Sequence, residues 1–346
     1  MVTIKKIAEE IGVSASTVSI VLNGKASERK ISEETTALVL QTAKAMGYKP
    51  SLAARRLKGG YGTDDIQIGV FWSSEVTTHV QGRFMKGIQS HIQNHNAPVH
   101  VGFYSYQSGN LKSVRHLLTD LGFHGVIIAH ASEADLQFLS EEMDQINIPV
   151  VIHNRVNDKF SYVTADHAMT GRMAADALAD NGCKRVACIK NSGNASNLDV
   201  RVQSFCEQAE KRGLSVVDVF HCGATATDGR DLMASLYMQY GPDNLPDGLF
   251  CGSSLVAHGV IRALADKQIR VPTDIKLVAV GNGLDEDDAC TIPSLSIIRI
   301  FLEEIASECM LYLLNTINRS TDLKKQTVLP VQYLPRESCG PLRPTR

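Results

Sequence analysis

The chain has 346 residues, 44% of them hydrophobic and 21% charged, with a formal net charge of −2. That balance excludes a disordered or fibrous polymer and leaves room for more than one packed domain. Eight cysteines, all between Cys183 and Cys339, form no CxxC pair, so they argue against a zinc or dithiol site and read as small buried hydrophobes. With no apolar run approaching 18 residues and no secretory leader ahead of the first motif, a cytoplasmic protein without membrane contact is expected.

The first 24 residues, MVTIKKIAEEIGVSASTVSIVLNG, pattern as two short helices joined by a turn. Thr3 caps a helix over Ile4 to Ile11, Gly12 breaks it, and Ser14 caps a second. Val18, Val21 and Leu22 face Ile4, Ile7, Ala8 and Ile11, which leaves Ala15, Ser16, Ser19 and Ile20 pointing outward. This is the pattern of a helix-turn-helix that docks its second helix in a DNA major groove. Ser14, Thr17, Ser19 and Asn23 would hold phosphates. Charge supports it: residues 1 to 60 carry ten basic and five acidic side chains, a net of +5, leaving −7 for the rest. A basic head on an acidic body is expected where only the head meets a phosphate backbone.

A third helical stretch follows, ISEETTALVLQTAKAMGYKP, and then SLAARRLKGG. With VTADHAMTGRMAADAL, DIKLVAVG and LPVQYLPRES further on, these segments resemble the LacI/GalR family of bacterial repressors over residues 2 to about 340. Pro50 to Lys58 is a short stretch with Leu52, Ala53, Ala54 and Leu57 on one side and Arg55, Arg56 and Lys58 on the other. Nine residues are too few for a stable isolated helix, so it is expected to order with DNA and a second copy. The resemblance implies a hinge helix in the minor groove, with Ser51, Ala54, Arg55 and Lys58 at the DNA and Leu57 wedged into the central base step.

The body alternates short β-branched runs (IQIGVFW, VHVGFY, HGVIIAH, PVVIHN, RVACIKN, LSVVDVF, GLFCG, IKLVAVG) with amphipathic stretches, the signature of parallel sheets. The fold class is α/β: an all-α head at 1–49, a hinge and linker at 50–60, and a core at 64–340. The resemblance implies a two-lobed core of the periplasmic-binding-protein type. Its first lobe is expected at 64–164 plus 294–317 and its second at 165–293 plus 318–340, with crossings near Ala165, Pro293 and Ile317.

A ligand is expected in the cleft at the strand ends. Phe71, Trp72, Ser73 and Ser74 should rim it, Trp72 either stacking on a sugar or base or plugging the lobes. Arg201 resembles the family arginine that forks onto ligand hydroxyls or a carboxylate. Two positions depart from the family: Gly283 stands where sugar-binding members carry an Asp, with Asp285 as a substitute, and Arg230 stands in place of an aromatic. A cleft that loses a carboxylate and gains a guanidinium favours an anionic sugar derivative clamped by Arg201 and Arg230. Ser253, Ser254 and Asn154 would add neutral hydrogen bonds. The alternative is a cleft that no longer binds a small ligand and answers to a protein partner or to nothing.

Ile20 also departs, standing where the family usually has an arginine, so contact with a thymine methyl replaces a bidentate guanine contact. Specificity should then rest partly on shape at the centre of a pseudo-palindromic operator. The final GPLRPTR has no heptads, so a homodimer is expected rather than a tetramer. No catalytic motif, metal set or cofactor loop is found. His91 and His95, four apart on one helix, read as a solvated face rather than a metal pair. A regulator is expected, not an enzyme.

Overall fold

The computed structural model describes residues 4–22, 26, 29–46, 66–76, 78–95, 98–146, 148–192, 196–319 and 324–340. Thr3, Asn23 and the 50–60 segment with Ser51, Ala54, Arg55, Leu57 and Lys58 lie outside them. Two compact units result, a helical head and a body that holds both sheets.

In the head, α1 (Ile4–Ile11), α2 (Ala15–Leu22) and α3 (Glu33–Ala45) bury Ile7, Ala8, Val18, Val21, Val39 and Ala43 against one another. Gly12 turns the chain between α1 and α2 at φ +68, where a side chain would be strained. Ser14 Oγ accepts the Thr17 N–H at 3.0 Å and caps α2, and Ser32 does the same for α3 through Thr35 at 3.2 Å.

In the body, the chain runs β1 (Ile66–Ser73), α4 (Thr78–His95), β2 (Val99–Tyr106), α5 (Arg115–Asp120), β3 (Gly125–Ala129), α6 (Glu133–Ile146), β4 (Val150–His153) and β5 (Ser161–Ala165). Then come α7 (His167–Asp180), β6 (Arg185–Asn191), α8 (Ser196–Lys211), β7 (Ser215–Cys222), α9 (Ala226–Tyr240), β8 (Gly248–Cys251) and α10 (Ser254–Asp266). It closes with β9 (Lys276–Gly281), α11 (Asp285–Cys290), β10 (Ser296–Ile300), α12 (Leu302–Arg319), β11 (Gln326–Leu329) and β12 (Val331–Leu334).

The strands make two six-stranded sheets, ordered β11-β5-β4-β3-β1-β2 and β12-β10-β9-β8-β6-β7. Strands β3, β4 and β8 are buried along their whole length, the continuous apolar run that helices on both faces of a parallel sheet require. Each sheet reverses its winding beside its first strand, β1 in one and β6 in the other. Such a switch point opens a crevice outside the carboxyl ends of the strands.

The lobes are not divided as the sequence suggested. Strand β10, expected in the first lobe, pairs in parallel with β9 and antiparallel with β12, so it belongs to the second sheet. Strand β11, expected in the second lobe, pairs with β5 in the first. The chain therefore crosses at Asp166, between Ile300 and Leu302, and at Pro330. The buried run of β10 completes the second sheet, while α12 packs on β3, β4 and β5 of the first.

Two glycines set helix spacing. A Cβ at Gly87 would run into the Glu303 carbonyl of α12, and one at Gly171 into the Arg201 carbonyl of α8. The second close approach brings the start of α7 against Arg201. Gly171→Ala is expected to destabilise the body by about 1–3 kcal/mol in denaturant unfolding, despite the gain of up to about 1 kcal/mol that alanine brings to a helix interior.

Candidate DNA-reading surface and ligand cleft

On the head, α2 leaves Ser14, Ala15 and Ser16 exposed, and Thr17, Ser19 and Ile20 half-buried. Ser14 Oγ accepts the capping hydrogen bond and lies 2.8 Å from Thr17 Oγ1, so these two hydroxyls serve the helix start. The exposed first turn of α2 offers small side chains and no cation.

In the body, a cleft of about 790 Å³, counting its open mouth, lies between the two sheets' strand ends. From the first lobe it is lined by Ser73 at the end of β1, His130 after β3, and Asn154 and Arg155 after β4. The second lobe supplies Asn191 at the end of β6, Asn197 and Arg201 of α8, and Asn282 after β9. Both His130 (φ +57) and Asn154 (φ +59) adopt the left-handed backbone conformation, a local cost that lets two successive strand ends turn polar groups into the cleft.

Arg155 and Arg201 are each only 6% exposed. Neither has an ion-pair partner among the described residues. Arg155 donates from Nε to the Ala131 carbonyl at 3.0 Å and from Nη1 to the Asn154 carbonyl at 2.6 Å. Arg201 donates to a histidine, His167, rather than to a carboxylate. Burial lowers both guanidinium pKa values to about 10, with Arg155 adding to the effect on Arg201; both stay cationic at neutral pH. Among the described residues the one acid lining the cleft is Glu75, exposed at the rim, while Glu133, outside the lining, acts on Arg155 from a distance and partly opposes the lowering of its pKa. The interior is therefore electropositive.

Beneath the cleft, Trp72 is 2% exposed and packs against Phe84, Phe103, His130 and His153 at ring separations of 5.0 to 6.0 Å. It plugs the first lobe's core and does not face a ligand, because β1 is buried on both faces there. Arg230 lies at the surface, its side chain 54% exposed and paired with Asp231 at 3.3 Å, so it is not a cleft clamp. Asp285 starts α11 and pairs with Arg299 at 3.0 Å instead of replacing the missing Asp. Ser253 holds Asn282 Oδ1 at 3.2 Å and lines a smaller neighbouring hollow with Ser254 and Gly283. His91 is buried and bonds Ser307 Oγ at 3.0 Å, so it joins α4 to α12 rather than facing solvent. Ser73, Asn154 and Arg201 do converge on the cleft.

Sequence reasoning missed His130, Arg155, Asn191, Asn197, Asn282 and the supporting His167. Four of these directly follow or end apolar strand runs, as in VIIAH, VVIHNR, CIKN and VAVGN, and the strand-end rule would have found them. His167 and Asn197 sit at helix starts with no local signal.

One further arginine ties the lobes. Arg83 of α4, 4% exposed, donates from Nε and Nη2 to the Glu303 carboxylate, from Nη2 to Ile300 O and from Nη1 to Gly283 O. A first-lobe helix is thereby joined to the loop after β9 in the second.

These features define a class: a helix-turn-helix head on a body with a two-lobed, polar, inter-lobe cleft. Residues 3–51 match the model for bacterial regulatory proteins of the lacI family, and residues 175–339 match that of a periplasmic binding protein-like domain. A relative is the HTH-type transcriptional repressor PurR of Pasteurella multocida, 26% identical over 290 residues, 82% of each chain. A solved LacI family transcription regulator from Clostridium acetobutylicum superposes with a TM-score of 0.74 at 27% identity, over 79% of this chain and 100% of that one. The lac repressor dimer bound to operator and the anti-inducer ONPF shares the fold over 98% of this chain and 99% of its own, TM-score 0.72 at 22% identity. The chain belongs to the lacI family of bacterial regulatory proteins: it is a DNA-binding transcriptional regulator, not an enzyme. Among the described residues, no helix is long and apolar enough to cross a membrane.

Burial drives the pKa of His130, His153 and His167 down from 6.5, with neighbouring cations adding to it; His153 falls to about 3. Unfolding therefore takes up protons between the lowered native values and 6.5, and stability is full above pH 6.5 and lost as pH falls. Unfolding near pH 5 should take up about three protons from this trio, on top of any carboxylate contribution. Neither ring nitrogen of His153 has a partner among the described residues. His153→Leu should keep stability at pH 8 within about 1 kcal/mol and reduce the uptake by one proton, read from the pH dependence of urea midpoints.

Proposed function

We infer that the chain is a repressor that binds a pseudo-palindromic operator as a homodimer, its affinity set by an anionic sugar derivative, a sugar phosphate or sugar acid, held between the lobes. The observation that carries the ligand class is the pair of buried guanidiniums, Arg155 and Arg201, lining one cleft without a carboxylate partner among the described residues. A buried cation without a counter-charge is costly to the unliganded protein, and an anion repays that cost on binding. Asn191, Asn197 and Asn282 supply neutral hydrogen bonds for hydroxyls around it. Arg201 keeps the role proposed for it from sequence, and Arg155 takes the one given to Arg230.

Ligand that prefers one arrangement of the lobes biases the operator-bound state by about 1–3 kcal/mol, a 5- to 150-fold change in affinity. On DNA, Ser14, Ala15, Ser16, Thr17, Ser19 and Ile20 of α2, with Thr3 and Asn23, form the proposed major-groove set. Ser51, Ala54, Arg55, Leu57 and Lys58 form the minor-groove set.

A thermal-shift panel of neutral sugars, their phosphates and their acids tests the ligand class, since binding to the folded state alone raises the melting temperature. A response to anions is expected, abolished in Arg155→Met and Arg201→Met and unchanged in Arg230→Ala. Without ligand, Arg201→Met should melt no lower than the parent, because it removes an uncompensated charge. A response to neutral sugars alone would overturn the anion reading, and silence throughout would favour a cleft that no longer senses small molecules. On the same reading the centre of the operator is a pyrimidine–purine step, the kind most easily kinked, and in operator titrations replacing only that step should weaken binding by about 1–3 kcal/mol; undiminished affinity would remove the hinge from the account.

A further inference from the structure

His167, the first residue of α7, has its imidazole among polar groups of both lobes. Its Nδ1 accepts from Arg201 Nε at 3.2 Å and lies 3.1 Å from Arg201 Nη2. A guanidinium has only donors, so Nδ1 carries no proton and the ring's single hydrogen is on Nε2. Nε2 lies 2.9 Å from Asn154 Oδ1, which also accepts from Thr164 Oγ1 at 3.3 Å. The Asn197 amide, 3.3 Å from Nε2, completes the set with its oxygen turned to the ring, an orientation that also gives its otherwise unpartnered Oδ1 a donor. The hydrogen bonds thus define both the tautomer and the charge. His167 is neutral.

A buried guanidinium is ordinarily held by a carboxylate, which orients it and cancels its charge together. At Arg201 the two effects are separated: an acceptor of fixed direction orients the group and leaves the charge in place. The groups facing the imidazole are Arg201 on α8, Arg155 and His153 at the end of β4, and His130 after β3. Burial first, and then those arginines, keep a second proton off the ring. Asp166 precedes it in the chain, but its Oδ1 is bonded to the Met169 N–H at 2.7 Å, capping α7.

We propose that His167 determines the charge selectivity of the cleft, positioning Arg201 through a neutral acceptor so that two positive charges, those of Arg201 and Arg155, are left for a dianionic phosphomonoester on the ligand. The proposal rests on the anion reading of the cleft and assigns its selectivity to one side chain that does not line it. A carboxylate at this position would hold Arg201 equally well and leave one charge too few. The site would then favour neutral hydroxyls.

The test uses the full-length chain with glucose 6-phosphate, inorganic phosphate and glucose as probes in titration calorimetry, on the parent, His167→Gln and His167→Glu. The neutral glutamine is expected to keep phosphate affinity within about threefold of the parent, whereas glutamate lowers it at least about tenfold and raises the relative affinity for glucose. Equal loss in both variants would mean that the imidazole serves packing alone, and equal retention that it has no part in selectivity; either overturns the proposal while leaving the anion reading intact. Parent protein that binds glucose and neither phosphate probe overturns both. A ligand-independent readout is the nitrogen NMR signature of His167 in the unliganded protein. A neutral Nε2–H ring at pH 7 supports the proposal, and an imidazolium overturns it whatever the probes show.

Discussion

The cleft of the body is built around two positive charges kept out of water with no ion-pair partner among the described residues. Burying a charge is among the largest penalties a fold accepts, and it is tolerated only where fixed dipoles replace the lost hydration. Arg155 is met by the carbonyls of Ala131 and Asn154, and Arg201 by the His167 ring, so each donates toward a dipole and neither is neutralised. That solution demands an accurate scaffold, since dipoles stabilise a cation only at short range and correct angle. It accounts for left-handed backbone at His130 and Asn154, where the chain accepts local strain to present the right groups at consecutive strand ends.

Topology supplies the scaffold. Two sheets wound in the same order place their carboxyl strand ends around a common opening, so polar residues at the close of apolar runs become neighbours despite separations of a hundred residues or more. Gly171 lets α7 approach α8 and brings His167 to Arg201, while Arg83 ties α4 to the loop after β9. Arg83 offers the useful contrast: it is as buried as the cleft arginines but is paired with Glu303 in a bidentate contact and capped by carbonyls. The same chain neutralises the arginine that joins its lobes and leaves the cleft pair charged. On the proposed reading, that difference separates a structural cation from one kept for a ligand.

What the sequence made legible follows the range of the forces involved. The head could be read because α1 and α2 are governed by local rules: cap, apolar spacing and a glycine stop act within a few residues, and Ser14, Val18 and Val21 sit as expected. The alternation of strands and helices was equally plain. Lobe membership of β10 and β11 was not, because both are strands of only five and four residues whose partners are chosen by pairing with segments distant in the chain. Arg230 was misread, and Trp72 left open between stacking and plugging, for a related reason. Facing is decided by which side of a helix or strand meets the sheet, and a shift of two residues on a helix, or of one on a strand, reverses the answer. His167 was invisible because its role depends on an interhelical contact made by a glycine four residues away.

The two ends of the molecule fit one economy of binding. The first turn of α2 presents Ser14, Ala15 and Ser16, which offer no bidentate base contact, so on the proposed reading little of the operator affinity comes from direct readout by this helix. A regulator with a strong direct contribution would stay bound through a modest allosteric shift. With a weak one, a coupling of about 1–3 kcal/mol becomes a sizeable fraction of the margin between specific and non-specific sites. The uncompensated charge in the cleft serves the same end from the other side. Because the unliganded body already bears the cost of two buried cations, an anion of matching charge gains the whole of that relief when it binds, and a neutral analogue of the same shape gains none. On the proposed reading, selectivity for charge thereby arises from one feature of the fold, while the size of the allosteric response depends on how differently the ligand binds the two lobe arrangements.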